Sequence, residues 1–257
     1  ISVRKIECPK PRSVTLIALD DISAKFIINS VVDIATYEYC LSKTTNVEDN
    51  ILTNTISGKT IDLSGLEPDT DYNLFVRTVC GEEGNSDYQL CSFRTEIVAG
   101  SIPYTSDFTA EDENSKWVIV NGNQKNGFVI GGDTKSLYVT SEPQAGDAAE
   151  YAYDSKTETA AYAYRLLNLE KGQYAISYDW KSEGSKLDYG RVFLVPASYN
   201  IEAGKRIGNV NATTYKATLP AECIALDGGS VLSEKTVTTH SSNPFFVSEA
   251  GRYKLVV

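Results

Sequence analysis

Along most of this chain, hydrophobic and polar positions alternate in twos, and no segment sustains a helical period. Val14–Leu19 is a first predicted strand, Ser23–Ser30 a second and Ile34–Ser42 a third. Asp49–Leu63 carries one or two short strands with Gly58 at a turn, and Gln89–Thr95 is the last of this group. Between them lies the most informative stretch, running from Gly65 to Cys80. Pro68 fixes φ at a corner, and Asp69 and Thr70 can bond their own backbone there. A strand follows in which Tyr72, Leu74, Val76 and Thr78 face one way and Asn73, Phe75, Arg77 and Val79 the other. Seven short strands in about a hundred residues is the count of a two-sheet sandwich.

From Ile102 the pattern changes. Ile102–Phe108 leads to a strand at Trp117–Gly122, then Phe128–Gly131 and Ser136–Thr140. Longer alternating runs follow at Glu150–Asp154, Ala160–Leu169, Gly172–Trp180 and Arg191–Pro196, with Gly, Asn and Asp at the breaks. Long antiparallel strands without helices read as a jelly-roll β-sandwich. The expected architecture is all-β, with a first sandwich over 1–96, a short linker over 97–101 and a jelly-roll domain over 102–257. Val257 falls inside a predicted strand, so the second domain is expected to be truncated at its C-terminus and the chain to be a fragment.

The Leu-x-Pro-x-Thr-x-Tyr corner and its strand resemble the E–F corner of a fibronectin type III domain, an immunoglobulin-like sandwich, over about Cys8 to Thr95. The resemblance makes Tyr72 the corner tyrosine, its hydroxyl bonded back to the chain just upstream. The family's core tryptophan is missing, and Phe26 or Ile28 must fill its place. In that topology the first strand starts at the pole where the sixth ends, which implies a Cys8–Cys80 disulfide, with Cys80–Cys91 as the rival. Bacterial cell-surface versions of the domain often carry Cys-Pro and Val-Cys-Gly at these places, here Cys8-Pro9 and Val79-Cys80-Gly81. The second half is similar to cleaved-adhesin and MAM-like jelly rolls of Bacteroides-type secreted proteins. That similarity rests on Asp107-Phe108, the Trp117 strand, Gly131-Gly132, Ser136–Val139, and the runs Tyr174–Lys181 and Asp188–Val195.

Charge and composition narrow the function. A net charge of −10 argues against nucleic acid and anionic membranes, which need a basic footprint. No apolar run is long enough to span a membrane. Five cysteines without CxxC spacing argue against zinc. Four of them within the first 91 residues point to disulfides and an oxidising compartment, with Cys223 the candidate free thiol. The lone histidine, His240, sits in a polar loop, and no Gly-x-Ser-x-Gly elbow is present, so nucleophilic catalysis has no support. The chain is therefore expected to be no enzyme.

Two kinds of candidate site remain. Exposed aromatic faces stack on sugar rings, and Tyr189, Tyr199 and Trp180 are the candidates; Trp180 has core packing as its competing role. Asp107, Glu111, Asp112 and Glu113 form an acidic cluster whose hard oxygens suit a structural calcium, although the spacing is not that of an EF-hand. A solvated acidic loop is the competing reading. The expectation is a secreted or outer-surface bacterial adhesive module, monomeric as a fragment, that binds glycan or a surface protein, with the first domain as spacer. The alternative is the accessory region of a larger secreted protease or glycoside hydrolase.

Overall fold

A computed structural model describes residues 8–31, 36–182, 184, 188–211, 213–214, 216–229 and 234–257. The chain divides into two compact units, Ile1–Val98 and Ala99–Val257. Ile1–Lys10 is expected from the sequence to be the tail of a preceding linker; its residues 1–7, and the start of the third predicted strand, Ile34 and Ala35, lie outside the described residues.

The first unit holds β1 (Ser13–Leu19), β2 (Ser23–Asn29), β3 (Thr36–Ser42), β4 (Asn50–Ser57), β5 (Thr60–Ser64), β6 (Asp71–Thr78) and β7 (Gln89–Arg94). They form two antiparallel sheets, β1-β2-β5 and β4-β3-β6-β7. Gly58, at φ 106°, makes the break that separates β4 from β5. The inward residues of both sheets share one core: Phe26, Ile28 and Ile61 from one, Tyr37, Tyr39, Leu74 and Val76 from the other. This is a fibronectin type III-like sandwich. Phe26 and Ile28, expected in place of the absent tryptophan, are both buried in this core, and Phe26 meets Phe93 edge-on at 5.1 Å. Tyr72 stacks on the other side of this cluster, 5.6 Å from Phe93, and its hydroxyl accepts the Glu67 N–H at 3.0 Å.

Cys8 and Cys80 form a disulfide with their Cα atoms 5.9 Å apart. The rival Cys80–Cys91 link is therefore absent. Cys40, Cys91 and Cys223 are free thiols, and Cys40 is the most deeply buried of them. The Thr78 hydroxyl donates to the Pro9 carbonyl at 2.8 Å, which ties the segment after Cys8 to the same end of β6.

The second unit is also an antiparallel sandwich. Its strands are β8 (Trp117–Val120), β9 (Gly127–Gly131), β10 (Ser136–Thr140), β11 (Tyr162–Leu169), β12 (Gly172–Tyr174), β13 (Ser177–Trp180), β14 (Phe193–Pro196), β15 (Asn209–Val210), β16 (Ala217–Thr218), β17 (Ile224–Ala225), β18 (Thr238–Ser241), β19 (Phe245–Val247) and β20 (Gly251–Val256). One helical turn, α1 (Glu111–Asn114), precedes β8. The central sheet runs β17-β14-β20-β11-β8. One of its faces, with Leu167, Leu169, Leu194 and Leu255, packs on the ribbon formed by β12–β19 and β13–β18. The other face, with Tyr162, Phe193, Val195 and Val256, is covered by Tyr199, Ile201, Ile207 and Leu219. Burial on both faces explains why Phe193-Leu194-Val195 reads as an unbroken apolar run.

Two expected strands differ. Gly172–Trp180 is split at Ala175-Ile176, because the opposing strand of the ribbon carries Pro244, which has no N–H for the ladder. Ser242 closes the gap: its N–H donates to Ile176 O at 2.9 Å, and its hydroxyl accepts the Ile176 N–H at 3.1 Å. Glu150–Asp154 forms no strand. The buried Asn126 amide takes both main-chain groups of Asp154, at 2.8 and 3.0 Å, and Tyr151 packs on Tyr138 at 4.4 Å. Among the described residues no helix is long and apolar enough to cross a membrane.

Candidate functional site

The candidate site lies in the second unit, where the chain turns through 105–114 into β8. Phe108 sits at φ 59°, a conformation that costs a bulky residue energy unless its surroundings hold it. Two contacts do so: the Asn114 amide donates to Phe108 O at 2.9 Å, and the Phe108 ring packs 5.5 Å from Trp117. Just before it, the Asp107 carboxylate accepts the Thr109 N–H at 3.0 Å and hydroxyl at 2.7 Å. The turn α1 then places Glu113 and Asn114 on the same concavity.

That concavity has a volume of about 310 Å³ and is lined by Ser106, Asp107, Phe108, Glu113 and Asn114 among others. A second hollow of about 220 Å³ shares Phe108 and Asn114 and extends to Ile130, Gly131 and Lys135. Asn114 Oδ1 is buried and accepts no hydrogen bond, and neither does the buried Trp117 Nε1 donate one. Such groups cost free energy until a partner arrives.

Glu113 is fixed from below. Arg165 on β11 is only 2% exposed, and its Nε donates to Glu113 Oε1 at 2.7 Å. The Tyr104 hydroxyl donates to the same oxygen at 2.7 Å, and the guanidinium lies 5.7 Å from the Tyr104 ring. Burial raises the Glu113 pKa, but the hydrogen bonds from Arg165 and Tyr104 and the charges of Arg165 and Lys116 outweigh it, leaving it below the ordinary value. The Thr109 hydroxyl and N–H likewise hold Asp107 low. Both carboxylates are thus anionic acceptors at neutral pH. A glycosidase acid needs the opposite shift.

The expected calcium cluster is not assembled. Asp107 is engaged with Thr109, Glu113 with Arg165, and Asp112 with Lys116 at 2.7 Å. Glu111 is exposed. Among the described residues no three His, Cys, Asp or Glu side chains converge to hold a metal ion.

The aromatic candidates do not meet at the hollow. Trp180 is half-buried with Tyr174, Ile176 and Tyr178 against one face of the central sheet. Tyr199 packs against the opposite face, and its carbonyl accepts from Lys254 at 2.7 Å. Trp180 and Tyr199 therefore cannot form one stacking platform. Tyr189 is half-buried and lies outside the hollow's lining. His240 bonds the Leu226 carbonyl at 3.0 Å and packs on Tyr178 at 5.1 Å, with no nucleophile bonded to it.

Sequence reasoning found Asp107 and Glu113 but missed Phe108, Asn114 and Arg165. Arg165 was the available signal: a charged residue sharing the inward face of Ala163, Leu167 and Leu169 demands a buried partner.

No family model matches the chain, and no curated protein matches it. Solved structures are similar over about a third of it. A fibronectin type III domain of the human collagen alpha-1(XX) chain is 23% identical, with 38% of this chain and 92% of that one covered and a TM-score of 0.32. A computer-redesigned β-sandwich protein is 16% identical, with 36% and 94% covered and a TM-score of 0.32. A protein described as FN3tt is 18% identical, with 34% and 92% covered and a TM-score of 0.30. The class of the protein rests on its own strand order and cores: two all-β units, the first a fibronectin type III-like sandwich.

Proposed function

We propose that the chain is a non-catalytic binding segment of a secreted or outer-surface bacterial adhesive protein. The fibronectin type III-like unit over 1–96 serves as spacer. The second unit, a jelly roll of the cleaved-adhesin or MAM-like kind, takes a hydroxyl-rich ligand of the glycan class in the hollow at Phe108 and Asn114. The observation that carries this reading is Asn114, which lines both hollows and whose buried Oδ1 accepts no hydrogen bond, beside the anionic Asp107 and the Phe108 ring. Sugar hydroxyls donate to such acceptors, and a sugar ring packs on an aromatic face. The Cys8–Cys80 disulfide supports an oxidising compartment.

A glycan array with the intact chain tests it. Selective binding is expected, unchanged by a calcium chelator, because the nearby carboxylates already have protein partners. Asp107→Asn and Phe108→Ala should each weaken it about tenfold or more, roughly the worth of one charge-assisted hydrogen bond or one stacked ring. No binding by the intact chain, or binding indifferent to both substitutions, overturns the reading.

A further inference from the structure

The strand β4 is the edge of its sheet and pairs on one side only, with β3. Its sequence, NILTNTIS, contains no charge and no proline, and every residue but Ile56 is exposed. Edge strands usually carry a charge, a proline or a cover that blocks further pairing. Main-chain directions along β4 follow from two hydrogen bonds. Val79 N–H donates to Thr36 O, so the even-numbered residues of β3 point to β6 and the odd-numbered ones to β4. Thr55 N–H goes to the neighbouring Asn54 Oδ1 at 2.8 Å and not to β3. The N–H and C=O groups of Thr53, Thr55 and Ser57 therefore face the open edge.

We propose that this edge is a self-association surface, on which two copies of the chain pair β4 with β4, antiparallel, about a two-fold axis at Asn54. In that register Thr53 exchanges hydrogen bonds with Thr55 of the second copy. Leu52, 41% exposed, lies against Ile56 of the second copy on the side nearer the core. A slip of two residues sets Leu52 against Asn54 or Gly58. The pattern is thus complementary to itself in one register, which identifies the occupant as a second copy and not an unrelated strand. A net charge of −10 on each copy opposes contact elsewhere, whereas no like charges meet along β4. The Asn54 side chain must release the Thr55 N–H, so association depends on concentration. This departs from the expected monomer and is independent of the glycan reading.

Sedimentation of the intact chain over a concentration series, with oxidative cross-linking, tests the proposal. On the axis, Asn54 forms a non-hydrogen-bonded pair with Cα atoms about 4.5 Å apart, a span a disulfide can bridge. Asn54→Cys should cross-link into dimers well above the background of the three free thiols, and Ile51→Cys, off the axis, should not. Thr55→Pro removes an outward N–H without touching the β3 ladder and should lower the association constant at least tenfold. Thr53→Lys, which sets like charges together beside the axis, should do the same and stands in if the proline variant does not fold. A monomer at every concentration overturns the proposal. So does equal cross-linking by the two cysteine variants, or a dimer indifferent to both edge substitutions.

Discussion

Removing the Tyr72 hydroxyl leaves the Glu67 N–H without its acceptor at the corner before β6. Tyr72→Phe keeps the ring on Phe93, so only the hydrogen bond is lost, and a destabilisation of about 1 kcal/mol is expected in denaturant unfolding. Glu113 is a harsher case. Glu113→Gln takes the Glu113 charge away from the Arg165 guanidinium, 2% exposed, and removing one partner of a buried pair costs about 3 kcal/mol or more. The sign with pH follows from the lowered Glu113 pKa. Its stabilisation is complete above the ordinary carboxylate value of 4.5 and fades as pH falls through the lower folded value. The substitution should therefore flatten the acid limb of the Tm–pH profile as well as lower Tm at neutral pH. An unchanged acid limb would place the pH dependence elsewhere. Tyr72 was legible through the resemblance of its corner, a motif compact enough that the hydroxyl and its partner are five residues apart. The Glu113–Arg165 pair was not, because the partners are 52 apart and nothing in a sequence links one acidic residue to one basic one.

At the scale of elements, legibility follows the range of the interactions that decide each strand. All seven strands of the first unit stand where alternation placed them, since period two and a tight turn are local properties. The break between β12 and β13 depends on Pro244, which acts from the opposite strand of the ribbon. The missing strand at Glu150–Asp154 depends on Asn126, whose side chain supplies the bonds a neighbouring strand would have made. In both places local propensity for extended chain was read correctly, and a remote polar group or imino acid decided the pairing. The candidate site shows the same limit. The acidic cluster was visible, but α1 and the Thr109, Lys116 and Arg165 contacts direct its carboxylates to different partners.

For the whole molecule, these observations separate two ways of stapling a β protein, by a covalent bond or by a metal ion. The Cys8–Cys80 link closes a loop with a sequence separation of 72, which in the chain-entropy account contributes roughly 4 kcal/mol. That is a large share of the stability of a sandwich of this size. Three of the four carboxylates expected to hold calcium, Asp107, Asp112 and Glu113, have protein partners, and Asp107 and Glu113 are held ionised by theirs. Calorimetry of the intact chain should therefore show an unfolding transition that an excess of chelator leaves in place. Cys80→Ser, or a reductant strong enough to open the bond, should lower it by several degrees or more. The opposite pattern, sensitivity to chelator and indifference to reduction, would mean that a metal ion fixes the fold. The hollow at Phe108 and Asn114 would then have to be reassigned from sugar hydroxyls to that ion.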